Sequence, residues 1–390
     1  MDVVEMTTKL ISTPSLPGDE GRVAELVKEF LSYVGVDKVF IDSYGDVIAV
    51  VKGGGLGSVV VEGHLDTVDV GDLKQWSVKP FSGEVIEGRV YGRGAADMKG
   101  AIAAQIKALE HVKSLDVDLY YVYTVYEEIA EGVALSQTLK ETLRLKPDVV
   151  ITGEATSLNL GVGHRGRSVV KLSLTGKTAH ASMPYEGINA LEAAAQAILK
   201  VSELNKGLPT HPALGSETAV ATLINCSPKV QPQIPDNCEV LVDHRLLPQT
   251  KLDDLMKLYS KLCNEVTYLK GVYCEASINK ETLKTWRGVE LEVVEFFPGW
   301  INNDVSMLRE VLRSVKASYS NASRHYWKFS TDLVATAGAE GIPSLGLGPG
   351  DERMAHKPNE YVEVIELRKA VEIYPRMLKS LNDYVVSKAR

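Results

Sequence analysis

The sequence predicts an α/β protein in which a mixed, largely parallel sheet flanked by helices is interrupted by a smaller α+β unit. Short β-rich runs alternate with helical runs up to Arg167 and again from Phe296, an order typical of parallel strands covered by helices. Between these points the order changes to β-α-β-β-α-β, which is typical of a two-layer, ferredoxin-like sandwich. A chain of 390 residues also has the length of about two domains.

The first part of the chain, residues 1–167, opens with two amphipathic helices. Residues 1–12 and 21–35 carry apolar side chains at helical spacing, and the prolines and glycine of segment 13–18 separate them. The glycine-rich segment 53–58 lacks the Gly-Lys-Ser/Thr of a phosphate loop, so it predicts a hairpin turn. The remaining predicted elements of this part are strands over 47–51, 59–62, 119–125 and 149–152 and a helix over 98–113.

The middle part, residues 168–285, is the predicted α+β unit, and residues 286–390 resume the α/β order. The catalytic half of the molecule is therefore expected to be discontinuous in sequence. The middle part has predicted strands over 168–175, 218–224, 238–245 and 272–278 and helices over 189–204 and 252–269. The last part has predicted helices over 305–317 and 333–341, a strand over 343–347 and a final helix from Val364.

Composition and charge exclude several classes of partner. Lys and Arg total 43 against 51 Asp and Glu, a net charge of −8, so no basic excess is present to bind nucleic acid. No apolar run approaches the ~20 residues of a membrane span. Residues 1–11 lack the apolar core of a signal peptide. We therefore expect a cytoplasmic protein that binds neither nucleic acid nor a membrane.

Four cysteines lie close together in the middle part, at positions Cys226, Cys238, Cys263 and Cys274. Their spacings match neither a CxxC pair nor a zinc ribbon. We expect them to be small buried hydrophobic residues without a chemical role. The alternative is a disulfide, which occurs inside cells mainly in heat-adapted organisms.

Acidic and histidine side chains follow several of the predicted strands. In parallel sheets the ligand crevice lies beyond the carboxyl ends of the strands, so these residues are candidates for one site. Two imidazoles and three carboxylates suit a pair of zinc-like cations with one bridging carboxylate. The candidates are His64 and Asp66 after the second strand, Asp97 in a glycine-rich turn, the adjacent Glu127 and Glu128, Glu154, and His356 in a loop near the C-terminus.

Two of these pairs have an expected division of roles. Asp66 is the natural carboxylate to hold the second ring nitrogen of His64 and so fix its tautomer. Adjacent residues at the end of a strand point in different directions. One of Glu127 and Glu128 can therefore bind a cation while the other transfers a proton.

Seven motifs occur in a fixed order along nearly the whole chain. They are HxD, GRGxxDMKG, EE, GE, GKxxHAxxPxxGxNA, DxR and GPGxxxxAHxxNE. This order resembles the M20 metallopeptidase and deacylase family, which includes acetylornithine deacetylase, succinyl-diaminopimelate desuccinylase and glutamate-releasing carboxypeptidases. Segments 329–332 and 350–353 resemble most the YgeY-type branch.

The resemblance implies a role for each candidate. One metal would take His64, Asp97 and Glu154, and the other Asp97, Glu128 and His356. Glu127 would be the general base, and the catalytic group would also include Asp66 and His180, the histidine of the GKxxHA motif. The substrate-binding residues would be Arg245, Ser330 and Thr331. The metals would be two divalent ions, zinc first and cobalt or manganese as alternatives, and the inserted unit would act as a lid and pair two chains.

The function expected from this resemblance is hydrolysis of the amide bond of an N-acyl amino acid by a two-metal centre. A dipeptidase or carboxypeptidase activity on short peptides is the alternative, because it needs the same centre and differs only in the acyl pocket. A non-catalytic binding module is the second alternative. The complete set of ligands together with Glu127 disfavours this last possibility.

Overall fold

The structure is a computed structural model that describes residues 1–389. Its α-helices in this range are α1 (Val3–Ile11), α2 (Gly21–Val34), α3 (Gly100–Ala108), α4 (Val133–Gln137), α5 (Ala190–Leu204), α6 (Leu252–Lys270), α7 (Val305–Lys316) and α8 (Val364–Ala389). Its strands are β1 (Lys38–Ile41), β2 (Val47–Val51), β3 (Ser58–His64), β4 (Val85–Ile86), β5 (Arg89–Tyr91), β6 (Asp118–Thr124), β7 (Val149–Thr152), β8 (Leu160–His164), β9 (Gly166–Thr175), β10 (Thr210–His211), β11 (Gly215–Ser216), β12 (Thr218–Ser227), β13 (Asn237–Leu246), β14 (Tyr273–Ile278), β15 (Lys280–Lys284), β16 (Glu290–Val294), β17 (Phe296–Phe297), β18 (Trp300–Ile301), β19 (Arg324–Trp327), β20 (Ser344–Gly346) and β21 (Tyr361–Glu363).

The large sheet has nine strands in the order β1-β2-β6-β3-β7-β20-β8-β18, with β19 beside β8. Its four central strands, β6, β3, β7 and β20, are parallel to one another, whereas β2 and β8 are antiparallel to their neighbours β6 and β20. Both faces are covered, since Val59 and Val61 pack into one apolar cluster and Val60 into another. The predicted mixed, largely parallel sheet flanked by helices is confirmed.

The glycine-rich segment between β2 and β3 is not a hairpin turn, and that prediction is wrong. Strand β6 lies between β2 and β3 and pairs with both of them. The segment therefore crosses one strand position in the sheet. Short-range turn signals could not reveal this, because the intervening strand comes from residues more than 50 positions later in the chain.

The second sheet has the order β12-β13-β9-β14, with β17 beside β9, and all of its pairings are antiparallel. Helices α5 and α6 pack against it, and residues between Val170 and Cys274 form an apolar core of their own. This is the predicted β-α-β-β-α-β unit. The domain limits at 167/168 and 285/286 stay a prediction.

One predicted helix is shorter than expected. Helix α3 begins at Gly100, because the backbone of Asp97 and Met98 leaves the helical region and the Asp97–Met98 peptide bond is cis. The predicted helix over 333–341 is present over residues 333–340 and contains a π-helical turn, Val334–Gly338. Apolar spacing indicated both helical segments, but not where α3 begins.

The expectation of unpaired cysteines is wrong. Cys226 and Cys238 form a disulfide that joins β12 to β13, and Cys263 and Cys274 form another that joins α6 to β14. The strand register places Cys226 directly opposite Cys238, a proximity that sequence spacing alone does not give. Both disulfides therefore cross-link the second sheet and its helix.

None of the helices within residues 1–389 has the length and apolar character of a membrane span.

Candidate metal centre and active site

The first group of candidate ligands lies beyond the ends of β3 and β7. His64 is the last residue of β3, and Glu154 follows β7 by two positions. The His64 Nε2 atom lies 3.1 Å from Asp97 Oδ1 and 3.6 Å from Glu154 Oε1. All three residues are buried. One cation could therefore contact an atom of each residue.

The second group shares Asp97 with the first. The His356 Nε2 atom lies 2.8 Å from Glu128 Oε2 and 3.3 Å from Asp97 Oδ2. Asp97 thus turns one oxygen towards His64 and the other towards His356, which is the arrangement of a bridging carboxylate. The His356 side chain is 55% exposed, so this group lies on the open side of the site.

The parallel strands explain why distant segments meet here. Glu127 and Glu128 follow β6, His64 ends β3, Glu154 follows β7, and the loop with His356 follows β20. These four strands are neighbours with the same direction, so their carboxyl ends share one edge of the sheet. Gly348 allows the loop after β20 to lie against the backbone of Gly153 and Glu154, where a Cβ atom would have no room.

The donor atoms fit divalent cations. In each group one ligand atom per residue lies within 4.8 Å of the others. The Glu154 Oε2 atom is buried without a hydrogen-bond partner in residues 1–389, which is costly for a carboxylate unless a cation is bound. Two imidazole nitrogens and three carboxylates are donors that zinc and similar ions prefer.

The electrostatics of the protein without ions also favour cations at this site. Burial raises the pKa of Glu154 and Glu128, and the negative charge of Asp97 adds to both shifts. Burial opposes ionisation of Asp97 as well, but hydrogen bonds from His356 and His64 lower its pKa. The bonds to Asp97 and Glu128 raise the pKa of His356 to about 10. The site therefore collects buried negative charge that needs cationic partners.

Asp97 is held by a carboxylate that the sequence argument did not identify. Glu360 accepts hydrogen bonds from the backbone N–H groups of Gly94, Ala96 and Asp97. Its charge is balanced by Arg93, whose Nη1 atom lies 2.7 Å from Glu360 Oε2. Glu360 belongs to the last motif, but nothing in its spacing indicates that it binds the turn before α3.

The glutamate loop, residues 125–132, carries Glu127 and Glu128 and is fixed in a similar way. Four buried carboxylates from other segments accept hydrogen bonds from five of its backbone N–H groups. Because carboxylates that accept N–H groups are held strongly, this loop has little freedom to move. The pairs are Asp46 with Val125, Glu20 with Tyr126, Asp66 with Glu127 and with Glu128, and Asp332 with Gly132.

Asp332 and Glu20 lie far in sequence from the loop that they bind. Asp332 binds both ends of the loop, since its second oxygen accepts a 2.7 Å hydrogen bond from the Thr124 hydroxyl. Burial raises the pKa of Glu20 to about 8 and that of Asp332 to about 6. Sequence reasoning gave neither residue a role, because Glu20 lies next to no candidate and the position of Asp332 after Thr331 does not indicate which groups it binds.

Asp66 contacts the loop of Glu127 and Glu128 as well as His64, and its expected catalytic role stays a prediction. The His64 Nδ1 atom lies 3.0 Å from the backbone carbonyl oxygen of Asp66 and 3.5 Å from its carboxylate. A carbonyl can only accept, so Nδ1 carries the proton and Nε2 faces the metal site. The Asp66 carboxylate instead accepts the N–H groups of Glu127 and Glu128, at 3.2 and 3.0 Å. Asp66 therefore links the His64 segment to the glutamate loop.

Ser330 and Thr331 are buried and already hydrogen-bonded within the protein. The Ser330 hydroxyl donates to Glu131 at 2.6 Å, and Thr331 Oγ1 lies 3.1 Å from His164 Nε2. Burial lowers the pKa of His164 to about 4, so this imidazole is neutral. In this structure the two hydroxyls connect β8 to the glutamate loop, and their contact with substrate stays a prediction.

His180 and Arg245 belong to the second sheet and its loops. His180 is exposed, and its Nδ1 atom lies 2.7 Å from the Ser182 hydroxyl. Arg245 is near the end of β13, and its Nε and Nη2 atoms donate to Asp243 at 2.8 and 3.2 Å. Neither residue belongs to the two groups of candidate ligands. Their roles towards substrate stay predictions.

Comparisons with known proteins agree with one another. The family model described as peptidase family M20/M25/M40 matches residues 60–380. The uncharacterised protein YgeY of Escherichia coli K12 is 28% identical over 368 residues, which cover 92% of this chain and 89% of YgeY. An acetylornithine deacetylase of Salmonella heidelberg is 28% identical over 335 residues, 84% of this chain and 81% of that enzyme.

Solved structures share the fold. The M20 family metallo-carboxypeptidase Sso-CP2 of Sulfolobus solfataricus superposes with a TM-score of 0.76 at 21% identity. The match covers 98% of this chain and 100% of that structure. The likeness therefore extends over both sheets.

We expect the zinc-loaded protein to retain two equivalents of zinc after dialysis, because each group offers three ligand atoms. His356→Ala removes a ligand from the second group alone and should leave about one equivalent. Asp97→Ala removes a ligand from both groups and should weaken both sites. Elemental analysis by mass spectrometry measures the content, with His211→Ala as a control that keeps both ions. Two equivalents in Asp97→Ala would contradict a shared ligand.

Proposed function

Because the chain belongs to peptidase family M20/M25/M40, we propose that it is a two-metal hydrolase that cleaves the amide bond of an N-acyl amino acid. The observation that supports this most directly is the pair of ligand groups joined by Asp97. A second support is Glu127, which is buried, directly precedes the candidate ligand Glu128 and belongs to neither group. One carboxylate is thus left over for proton transfer. The proposed ions are zinc, with cobalt or manganese as alternatives.

In the proposed reaction Glu127 acts as general base and then as general acid. When bound, the two cations supply positive charge that polarises the amide carbonyl and lowers the pKa of a water molecule. A carboxylate oxygen of Glu127 takes a proton from this water molecule while the water oxygen bonds to the carbonyl carbon. The same proton then passes to the amide nitrogen as the C–N bond breaks. The products are a carboxylic acid and an amine.

Other side chains keep the reacting groups in place. Asp66 holds the backbone of Glu127 and Glu128, which fixes the base relative to the ligand beside it. Glu360 holds the turn of Asp97. We propose that His180 donates a hydrogen bond to the oxygen that becomes negative during attack. Arg245 would bind the substrate carboxylate, for which its guanidinium must share or leave Asp243.

Glu127→Gln should abolish turnover without loss of metal. The amide keeps the size of the side chain but cannot accept the proton, and a general base typically contributes about 10²- to 10⁴-fold in rate. We expect kcat to fall by at least about 10²-fold, with zinc content unchanged. Steady-state kinetics and elemental analysis on the same sample measure both quantities. A variant with wild-type kcat would rule out this role for Glu127.

The acyl group decides between the deacylase and the peptidase proposals. The similarity to acetylornithine deacetylase supports a deacylase, and the family description leaves a dipeptidase or carboxypeptidase as the second candidate. A screen of acetylated and succinylated amino acids against dipeptides, with apo-protein reloaded with zinc, cobalt or manganese, tests both. Release of amino acid from acylated substrates supports deacylation, whereas faster cleavage of dipeptides would favour the peptidase proposal over the deacylase proposal.

Arg245→Lys should then separate carboxylate recognition from chemistry. Lysine keeps the charge but loses the planar fork, so we expect KM for a substrate with a free carboxylate to rise about tenfold or more. For the matching substrate in which the free carboxylate is replaced by an amide, the KM of the same variant should change much less. Equal effects on both substrates would argue against this role.

No turnover of any substrate, together with no bound metal, would favour the binding-module alternative.

We also propose that two chains pair through β12. This strand is at an edge of the second sheet, and Val220, Leu223 and Ile224 on it are 55%, 56% and 42% exposed. Edge strands with exposed apolar side chains favour pairing with a second chain. The partners we propose are a second copy of this chain and a small substrate. The location we propose is the cytoplasm.

Leu223→Lys should shift a dimer towards monomer, because it places a charge in the middle of this edge. Light scattering coupled to size-exclusion chromatography measures the mass. Tyr268→Lys is a matched control, since Tyr268 is 90% exposed but lies on α6. A wild-type protein that is monomeric at all concentrations would contradict the proposal.

A further inference from the structure

Arg167 connects the second sheet to the glutamate loop. It lies at the start of β9, and its Nε and Nη2 atoms donate to the two carboxylate oxygens of Glu131, at 2.9 and 2.6 Å. The Nη2 atom also donates to the Ile129 carbonyl oxygen at 2.8 Å. One guanidinium thus makes three hydrogen bonds to the segment that directly follows Glu127 and Glu128.

The guanidinium is itself held firmly. The backbone of Arg167 pairs with Arg245 of β13 on one side and with Phe297 of β17 on the other. The Phe297 ring lies 4.9 Å from the guanidinium carbon, and Glu295 lies 3.6 Å from Nη1. Only 15% of the Arg167 side chain is exposed. The position of the guanidinium is therefore set by the second sheet.

Arg167 binds the second half of this loop from the side of the second sheet. Buried carboxylates bind the N–H groups of residues 125–128 and of Gly132. The Glu131 carboxylate and the Ile129 carbonyl lie between these points and face Arg167 instead. Apart from Ser330, Arg167 is the partner that satisfies Glu131, and its fork geometry fixes direction as well as charge.

We propose that Arg167 is a positioning residue that sets the place of Glu127 and Glu128 from the second sheet. This inference rests on the proposed function, in which Glu127 moves the proton and Glu128 binds a cation. Arg167 acts through the loop and touches neither the metal site nor a substrate. A misplacement of reacting groups by about 1 Å can cost about 10²-fold in rate. Loss of the fork should therefore lower kcat more than it changes KM.

The test compares Arg167→Lys with Arg89→Lys in the full-length, zinc-loaded protein. Lysine keeps a positive charge beside Glu131, so folding is retained, but it cannot make two parallel hydrogen bonds. Arg89 is a matched control, because it also bonds to a glutamate, Glu363, at 2.8 Å and stacks on an aromatic ring. We expect Arg167→Lys to lower kcat by about tenfold or more, with KM within about twofold and the melting temperature close to wild type. Arg89→Lys should match wild type.

A double variant separates positioning from a general structural effect. If Arg167 acts through Glu127, Arg167→Lys should not lower further the residual rate of Glu127→Gln. An equal fall in both backgrounds would overturn the inference, and so would wild-type kcat in Arg167→Lys. Glu131→Gln removes the charge from the other partner and should give the same kinetic pattern. If neither variant folds, the pair is structural and the inference is wrong.

Zinc titration decides the inference even if the proposed function fails. Should the wild-type protein hydrolyse neither acylated amino acids nor peptides, the function would be wrong, but Glu128 would still be a candidate ligand of the second group. Arg167→Lys should then weaken binding of one zinc equivalent by about tenfold and leave the other unchanged. Unchanged affinity for both equivalents in this variant would overturn the inference.

Discussion

The structure depends on one electrostatic constraint, which is the gathering of buried carboxylates around two histidines at a single edge of the large sheet. Burial disfavours charge, so every carboxylate here needs a partner. Backbone N–H groups, imidazoles and the side chains of Arg93 and Arg167 supply many of them. The Glu154 oxygen that lacks a hydrogen-bond partner within residues 1–389 and the two ligand groups that share Asp97 are the places where cations fit.

The same carboxylates that stabilise the backbone also order the site. Glu360 accepts hydrogen bonds from three backbone N–H groups of the turn before α3, and four other carboxylates bind the loop after β6. These carboxylates lie in loops and turns far apart in the chain. The segments that carry Asp97, Glu127 and Glu128 are thus held by residues from other segments. Rigid support of this kind is what a two-metal site requires.

The second sheet is more than a cover for the site. Its strand β9 places Arg167 against the glutamate loop, while the neighbouring β13 places Arg245 beside the same strand position. The proposed substrate contact and the proposed base are therefore connected through one short stretch of β9. The two disulfides cross-link this sheet on both sides, which favours a stiff unit rather than a flexible one.

The sequence by itself determined the order of the elements and the candidate ligands, because apolar periodicity is local and strand ends can be read from it. His64, Glu128 and Glu154 were identifiable since each follows a buried run that can only be a strand of such a sheet. Only the tertiary structure decided that β6 lies between β2 and β3, that the cysteines pair, and that Asp66 binds the glutamate loop. The partners of Glu20, Asp332 and Arg167 likewise could not be predicted, because they are brought to these residues by the packing of distant segments.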